Sequence, residues 1–390
     1  MADYNLDDPI QLAKALISYP SVTPDASAAM DALQGWLERL GFTCQRFCFG
    51  DDKPVDNLYA RLGELEPNLC FAGHLDVVPT GPLDAWSHDP WGGVIQDGIL
   101  FGRGVVDMKG AVAAWVAALA RLDLKAVTKS GSLSLLITGD EEGEAINGTV
   151  KLLQAIHEQG ERISACVTGE PTSNERLGDT IKIGRRGSMH GWLCVHGRQG
   201  HTGYPHLAQN AAHDLVCLLA GLEGWKLDQG SAFFQPSTVA ITRITVDNNA
   251  TNIIPGEARA HFNIRFNDLH DCARLEQKIH DRLKRIVAGR RICYELEVRC
   301  SGDSFLTKVS ADSFCVHLRD AIKHQTGISS EFSTAGGTSD SRFIKNYCNV
   351  VDFGLCGTRM HQIDEAAPVG EIELLARIYQ EFIKRFMGYS

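Results

Sequence analysis

Three short apolar runs in the first half of the sequence each end near a glycine that is followed by a histidine or by acidic residues. Helical patterns separate the runs, among them the alanine-rich stretch 110–122, and this alternation is typical of an α/β fold around a largely parallel sheet. Ligands of such sheets bind outside the carboxyl ends of the strands, so we expect these polar side chains to meet. The runs and the residues after them are 69–72 with His74 and Asp76, 133–138 with Glu141 and Glu142, and 165–168 with Glu170.

The pattern of the sequence changes in its middle third. Residues 187–299 show the order strand, helix, strand, strand, helix, strand, with helices expected near 208–222 and 272–287, which indicates an α+β unit. From about residue 300 the α/β pattern returns, and 390 residues are enough for two domains. We therefore predict a catalytic domain in two parts, 1–186 and 300–390, with a second domain inserted at 187–299.

Composition excludes several classes of partner. The formal net charge is −10, whereas nucleic acids and anionic membranes favour a basic surface. No window reaches the roughly 18 apolar residues that span a bilayer, and the opening MADYNLDDPI lacks the basic start and apolar run of a secretory signal. The twelve cysteines are scattered, and most are expected to be buried and reduced. These observations predict a cytoplasmic protein that binds neither nucleic acid nor membrane.

His74 and Asp76 stand two residues apart at a strand end, where the side-chain period of two directs both to the same face. A metal-bound histidine usually donates its other ring N–H to a carboxylate, so Asp76 is the expected partner of a ligating His74. The alternative is a capped strand end with a surface ion pair.

The adjacent acids Glu141 and Glu142 can have two different roles. Two neighbouring carboxylates at a strand end repel each other unless a cation compensates them. One of them can bind a metal while the other takes a proton from a water molecule. Asp107, in a glycine-rich turn, and His361, far downstream, complete a candidate set, although alone Asp107 reads as a helix cap or turn residue and His361 as a packing or surface histidine.

Imidazole and carboxylate ligands without a thiolate suit zinc, with cobalt or manganese as substitutes. One carboxylate that bridges two ions is a common arrangement in hydrolases. Two histidines and three carboxylates are enough for such a pair of ions.

Long stretches of the chain resemble the zinc aminoacylase and carboxypeptidase family of co-catalytic metallohydrolases. The resemblance implies a zinc-exopeptidase-like catalytic domain, an inserted dimerisation or lid domain, and a non-proline cis peptide after Asp107. It implies His74 and Glu170 on one zinc, Glu142 and His361 on the other, and Asp107 between them. Asp76 would orient His74, and Glu141 would be the general base and then the acid. The matching stretches are FAGHLDVVPTG, DPWGGVIQDGILFGRGVVDMKG, ITGDEEGEAINGT, GEPTSNERLGDTIKIGRRGSMHG, QGHTGYPHLAQN, TNIIPGEARAHFNIRF and TAGGTSDSRFI.

The same resemblance implies a homodimer in which His201 and Asn252 act across the interface to stabilise an oxyanion. Read alone, His201 is a loop histidine and Asn252 a turn residue. A small substrate with several carboxylates would require planar paired donors, and isolated arginines are otherwise mostly solvated. The candidate substrate-binding residues are Arg185, Arg265 and Arg342, helped by Ser188, Tyr204, Gly337 and Thr338.

One position departs from the family pattern. An asparagine often stands four residues before the last histidine, and this chain has Gly357 there. The predicted reaction is hydrolysis of the amide of an N-acyl amino acid. A related hydrolase with another acyl substrate, and a metal-binding homologue without activity, remain alternatives.

Overall fold

The computed structural model describes residues 4–310 and 313–389. Within these residues the helices, numbered along the chain, are α1 Pro9–Ile17, α2 Ser27–Arg39, α3 Gly110–Ala120, α4 Leu124–Val127, α5 Thr149–Glu158, α6 Ala211–Glu223, α7 Cys272–Val287, α8 Phe314–Thr326, α9 Ser341–Ile344 and α10 Val369–Met387. The strands are β1 Thr43–Phe49, β2 Val55–Leu62, β3 Asn68–His74, β4 Val94–Gln96, β5 Ile99–Phe101, β6 Ser132–Thr138, β7 Ala165–Thr168, β8 Thr180–Lys182, β9 Gly184–Arg185, β10 Gly187–His196, β11 Gly200–His201, β12 Thr238–Thr245, β13 Ile253–Ile254, β14 Glu257–Phe266, β15 Cys293–Gly302, β16 Phe305–Leu306, β17 Glu331–Ser333, β18 Asn349–Asp352 and β19 Ala366–Pro368.

The chain divides into two compact units. Unit 1 contains the described residues up to Ile183, Thr307–Ser333 and the described residues from Ser339 onward, and unit 2 contains Gly184–Leu306 and Thr334–Thr338. The sequence placed the inserted domain at 187–299. Unit 2 extends further because β9 pairs with β16 and because the Arg185 guanidinium donates a hydrogen bond to Gly337 O at 3.1 Å.

An eight-stranded sheet forms the centre of unit 1, in the order β1-β2-β6-β3-β7-β18-β8-β17. The four inner strands β6, β3, β7 and β18 are parallel, and β1 and β2 extend the sheet in antiparallel fashion. The predicted α/β fold with a mostly parallel sheet is confirmed. Because β3 lies between β6 and β7, the three apolar runs are direct neighbours and their carboxyl ends meet at one edge.

The alanine-rich helix α3 is the most deeply buried helix of unit 1, since every residue from Gly110 to Leu119 is buried. Alanine has the highest helix propensity, and its small side chain allows close packing on all sides. Trp115 fills the space that the alanines leave: its ring stacks on Phe71 of β3 at 4.6 Å and meets Tyr379 of α10 edge-on at 5.1 Å. These contacts anchor β3, which carries His74, against α3 and α10.

Unit 2 contains a four-stranded antiparallel sheet in the order β12-β14-β10-β15. Helices α6 and α7 cover one face, where Leu193, Phe262 and Leu283 belong to a buried core. Along β10, Met189, Leu193 and Val195 point into this core, so the alternate residues lie on the opposite face of the sheet. The predicted element order and the helix at 272–287 agree with the structure.

Two expectations about the chain as a whole can be compared with the structure. Ten of the twelve cysteines are free thiols, but only three of these, Cys70, Cys166 and Cys315, are buried, so the expectation that most are buried is wrong. Cys272 and Cys300 of unit 2 form a disulfide that the sequence did not predict. Among the described residues, no helix combines the length and the apolar character that crossing a bilayer requires.

Candidate active site

The candidate ligands of unit 1 collect at the carboxyl edge of its central sheet. His74 is the last residue of β3 and is completely buried. The loop after β6 carries Glu141 and Glu142, and Glu170 follows β7. The expectation from the strand ends therefore agrees with the structure, because the adjacent parallel strands bring all four side chains to one edge.

The Asp76 carboxylate has a different partner from the one that the sequence suggested. The Nδ1 atom of His74 lies 2.8 Å from the backbone oxygen of Asp76 and 3.6 Å from its carboxylate. That carboxylate instead accepts hydrogen bonds from the backbone N–H groups of Glu141 at 3.3 Å and Glu142 at 3.0 Å. Burial raises the pKa of Asp76 to about 6, against the opposing influence of His74 and of these N–H donors. Asp76 thus orients the histidine through its main chain and the glutamate pair through its side chain.

Asp107 lies between the two histidines. Its Oδ1 is 3.1 Å from His74 Nε2, and its Oδ2 is 3.2 Å from His361 Nε2. Burial would raise the pKa of this carboxyl, but the hydrogen bonds with His361 and His74 outweigh burial and hold the pKa well below its usual range. The peptide bond after Asp107 is cis, as the family resemblance predicted. Each carboxylate oxygen therefore faces a different imidazole, which is the geometry of a bridging ligand.

Glu142 and Glu170 stand at opposite ends of this arrangement. Glu142 Oε1 lies 2.8 Å from His361 Nε2, and Glu170 Oε1 lies 3.8 Å from His74 Nε2. The neighbouring carboxylates Asp107 and Glu142 raise the pKa of His361 to about 10. His361 and Glu142 thus lie on one side of Asp107, with His74 and Glu170 on the other.

Glu141 completes the group of carboxylates. Its carboxylate oxygen comes within 4.8 Å of ligand atoms of His74 and Glu170. Burial raises the pKa of Glu141 well above its usual range, and the negative charges of Glu170 and Asp340 raise it further. A raised pKa makes the carboxylate of this half-buried residue a stronger base, which suits it to accept a proton and pass it on.

The donor set fits divalent metal ions. Two nitrogen or oxygen ligands on one tetrahedral zinc, with bonds of about 2.0–2.1 Å, lie roughly 3.3 Å apart. The distances from the two histidines to Asp107 and Glu142 are 2.8–3.2 Å. Four carboxylates, on Asp107, Glu141, Glu142 and Glu170, share this edge, and such a concentration of negative charge requires compensation. The residues therefore match a metal centre built from imidazole and carboxylate ligands.

Glu365, which was not among the predicted site residues, anchors the Asp107 turn. The carboxylate of Glu365 is fully buried and accepts four N–H donors: Arg103 at 2.7 Å and Gly104 at 3.0 Å on Oε2, and Val106 at 2.9 Å and Asp107 at 3.3 Å on Oε1. Glu365 stands four residues after His361. The Glu365 side chain thus links the segment that contains His361 to the turn that contains Asp107. In the sequence, the sign of this role is the acidic last residue of GLCGTRMHQIDE, which is Glu365.

Five predicted substrate residues, Arg185, Ser188, Arg265, Gly337 and Thr338, belong to unit 2. Arg185 is buried and donates to Gly337 O, next to Thr338. Ser188 of β10 pairs with Arg265 of β14, and its hydroxyl accepts a hydrogen bond from Asn263 Nδ2 at 3.1 Å.

Three further predicted site residues of unit 2, His201, Tyr204 and Asn252, are exposed. His201 pairs in β11 with Ile253 of β13, and the Asn252 carbonyl accepts the N–H of Thr202 at 3.0 Å. The ring of Tyr204 lies 5.7 Å from that of His201.

Arg342 belongs to unit 1, where it is the second residue of the short helix α9 and lies beside a buried carboxylate. Its guanidinium lies 3.7 Å from Asp340 Oδ1, and Asp340 is only 4% exposed. Gly357 lies in a turn next to Pro171. A Cβ atom built at Gly357 would meet Pro171 O at 3.4 Å, so the structure has room for a side chain there.

Comparisons with a family model and with known proteins find similarity over most of the chain. The family model described as peptidase family M20/M25/M40 matches residues 70–385. The chain is 49% identical over 383 residues to a succinyl-diaminopimelate desuccinylase of Parvibaculum lavamentivorans, covering 98% of this chain and 96% of the relative. It is 51% identical to a protein of the same name from Rhodospirillum centenum, covering 98% of each.

Solved structures share the fold. An M20 family metallo-carboxypeptidase of Sulfolobus solfataricus superposes with a TM-score of 0.78 at 17% identity, covering 97% of this chain and 99% of that one. A dinuclear metal-binding peptidase of the M20 family from Bacillus subtilis gives a TM-score of 0.70 at 15% identity, with 96% of each chain covered.

Proposed function

Because the chain belongs to peptidase family M20/M25/M40, we propose that it cleaves N-succinyl-L,L-2,6-diaminopimelate to succinate and L,L-2,6-diaminopimelate. Eight relatives at 46–51% identity over nearly the whole chain are named succinyl-diaminopimelate desuccinylase. Their names confirm the resemblance read from the sequence and the class of metal-dependent amidohydrolase. The reaction belongs to the synthesis of lysine and diaminopimelate.

The observation that carries the proposal is the position of Asp107 between two histidines, with Glu141 close by. We assign His74 and Glu170 to one zinc ion, Glu142 and His361 to a second, and Asp107 to both. When bound, the two ions would polarise the amide carbonyl and make a water molecule more acidic, and cobalt or manganese could replace zinc.

Glu141 would move the proton that the reaction requires. Its carboxylate accepts a proton from the attacking water as the new C–O bond forms. It then transfers this proton to the nitrogen as the C–N bond breaks. The second proton of the water passes from the new carboxyl group to the amine, so the products are a carboxylate and an ammonium group. Asp76 supports this role because it holds the N–H groups of Glu141 and Glu142.

Substrate recognition follows from the charge of the ligand. We assign Arg185, Arg265 and Arg342 to the substrate carboxylates, since guanidinium groups form paired hydrogen bonds with them. The burial of Arg185, at 7% exposed, supports a built binding position rather than a solvated surface arginine. Further contacts would come from Ser188, Tyr204, Gly337 and Thr338.

We also propose a cytoplasmic homodimer in which His201 and Asn252 of one subunit stabilise the oxyanion in the other. Support comes from β12, an edge strand of the unit 2 sheet that carries Ile244 with 59% of its surface exposed. Exposed apolar edge strands can pair with another chain. Sedimentation of the purified protein, with activity followed across its dissociation range, would test this state.

A substrate panel tests the proposed function. The zinc-loaded protein should hydrolyse succinyl-diaminopimelate in preference to acetylornithine and aminoacyl substrates. Preference for acetylornithine would identify the chain as a deacetylase, and preference for an aminoacyl substrate would identify it as a carboxypeptidase. No turnover of any substrate by metal-loaded protein would favour a metal-binding homologue without activity.

A further inference from the structure

The face of the unit 2 sheet opposite α6 and α7 carries a second set of metal-type ligands. Cys194 and His196 stand two apart on β10, so both side chains lie on this face. Glu257 of β14 is directly opposite His196, and Glu295 of β15 is directly opposite Cys194. Three neighbouring strands therefore bring a thiol, an imidazole and two carboxylates together on a rigid surface.

The distances are close to those of a bound ion. Ligand atoms of Cys194, His196 and Glu257 all lie within 4.8 Å of one another. His196 has a carboxylate beside each ring nitrogen: Nδ1 is 4.0 Å from Glu257 Oε2, and Nε2 is 3.5 Å from Glu295 Oε1. Ligands of one tetrahedral zinc lie roughly 3.3–3.7 Å apart, so small side-chain rotations would close the site.

We propose that Cys194, His196 and Glu257 bind a transition-metal ion of the zinc type. A thiolate with an imidazole favours zinc or cobalt(II) over magnesium and calcium, which prefer oxygen ligands. Glu295 would accept the other ring N–H of His196, as carboxylates near ligating histidines commonly do. The fourth position is left for water.

A metal ion can bind at this site only when Arg259 moves away from Glu257. Its guanidinium contacts Glu257 Oε1 at 2.7 Å, and its side chain is 65% exposed. Such an exposed pair contributes little free energy, so the guanidinium can move into solvent when a divalent ion takes its place. The site should therefore be weaker than the centre in unit 1, and removal of the Arg259 charge should strengthen it.

Cobalt(II) distinguishes this site from the metal centre of unit 1. Sulfur-to-cobalt charge transfer absorbs in the near ultraviolet, and the predicted ligands of unit 1 contain no sulfur. Titration of the metal-free full chain with cobalt chloride should give this band with one additional cobalt per chain. The band should be absent in Cys194→Ser and strongly reduced in His196→Ala. It should appear at lower cobalt concentration in Arg259→Gln.

Cys48→Ser is the matched control, because Cys48 is an exposed free thiol of unit 1, and this variant should keep the band. Hydrolytic activity of Cys194→Ser should equal that of the unaltered chain, which verifies that the variant is folded. Absence of the band at saturating cobalt, or its persistence in Cys194→Ser, would overturn the proposal. Because the readout is optical, failure of this site is distinguishable from failure of the proposed hydrolysis.

Discussion

Replacement of Glu365 by glutamine should destabilise unit 1 and weaken metal binding together. Glu365 and Arg103 form an ion pair at 2.7 Å in which both side chains are at most 2% exposed. Glutamine keeps the size of the side chain, but its NH₂ group would face the donors of Arg103 and Gly104 or of Val106 and Asp107. Removal of one partner from a buried pair typically costs about 3–5 kcal/mol, because the remaining charge stays buried without compensation.

The Arg121–Glu373 pair provides a matched control. Its shortest N···O distance is also 2.7 Å, but its side chains are 21% and 39% exposed. Exposed pairs contribute about 0–1 kcal/mol, so Glu373→Gln should lower the free energy of unfolding by less than about 1 kcal/mol. The comparison therefore separates the effect of burial from the effect of losing an ion pair.

Urea unfolding of metal-free Glu365→Gln and Glu373→Gln would measure how much stability each variant loses. Metal analysis after dialysis would measure how well each variant retains the ions. Glu365→Gln should lose metal more readily than Glu373→Gln, because Glu365 fixes the N–H of Asp107 and shares a segment with His361. Equal losses of stability in the two variants, or unchanged metal content in Glu365→Gln, would refute the assignment of Glu365 as the anchor of this turn.

Four further predictions concern the site and its surroundings. Glu141→Gln should lower kcat by roughly 10²–10⁴ with nearly unchanged metal content, and activity close to that of the unaltered chain would disprove the role as base. Chelation with EDTA should abolish hydrolysis, and zinc or cobalt should restore it; activity that survives removal of all metal would contradict the proposed chemistry. Gly357→Asn should keep stability and metal content, because a Cβ there meets only ordinary contacts, and loss of folded protein would contradict this view. Burial would raise the pKa of Asp228, but hydrogen bonds from Ser237, Gly230 and His270 outweigh it and lower the pKa. A carboxyl whose pKa is lower in the folded state than in the unfolded state stabilises the protein at a pH above the unfolded pKa of about 4. This stabilisation is lost as the pH falls below that value. Asp228→Asn should therefore lower the free energy of unfolding at neutral pH, and the stabilities of the variant and the unaltered chain should become similar in acid.

The positions of the proposed strand-end ligands were predictable because their signal is local. An apolar run followed by glycine and an acid or imidazole marks both the strand and the place where its polar side chain emerges, which was enough for His74, Glu142 and Glu170. Asp107 and His361 depended on the family resemblance, since neither position has a local pattern that separates a ligand from a turn or surface residue.

The contacts that sequence patterns could not supply are long-range. Glu365 reaches Gly104 across 261 positions, and the pairing that places Arg185 in unit 2 joins β9 to a strand about 120 residues later. The partner of the Asp76 carboxylate was missed for another reason. A spacing of two shows that two side chains share a face, but only the backbone path of the next loop decides which N–H groups reach that carboxylate.

The place of β18 in the central sheet sets an order for synthesis of the protein. Residues 349–352 lie between β7 and β8, both of which leave the ribosome more than 160 residues earlier. The sheet of unit 1 therefore cannot reach its final strand order until nearly the whole chain has been translated. The four-stranded sheet of unit 2 lies entirely within residues 187–302 and can pair before then. The proposed metal centre includes His361, so its loading would fall in the last stage of biogenesis.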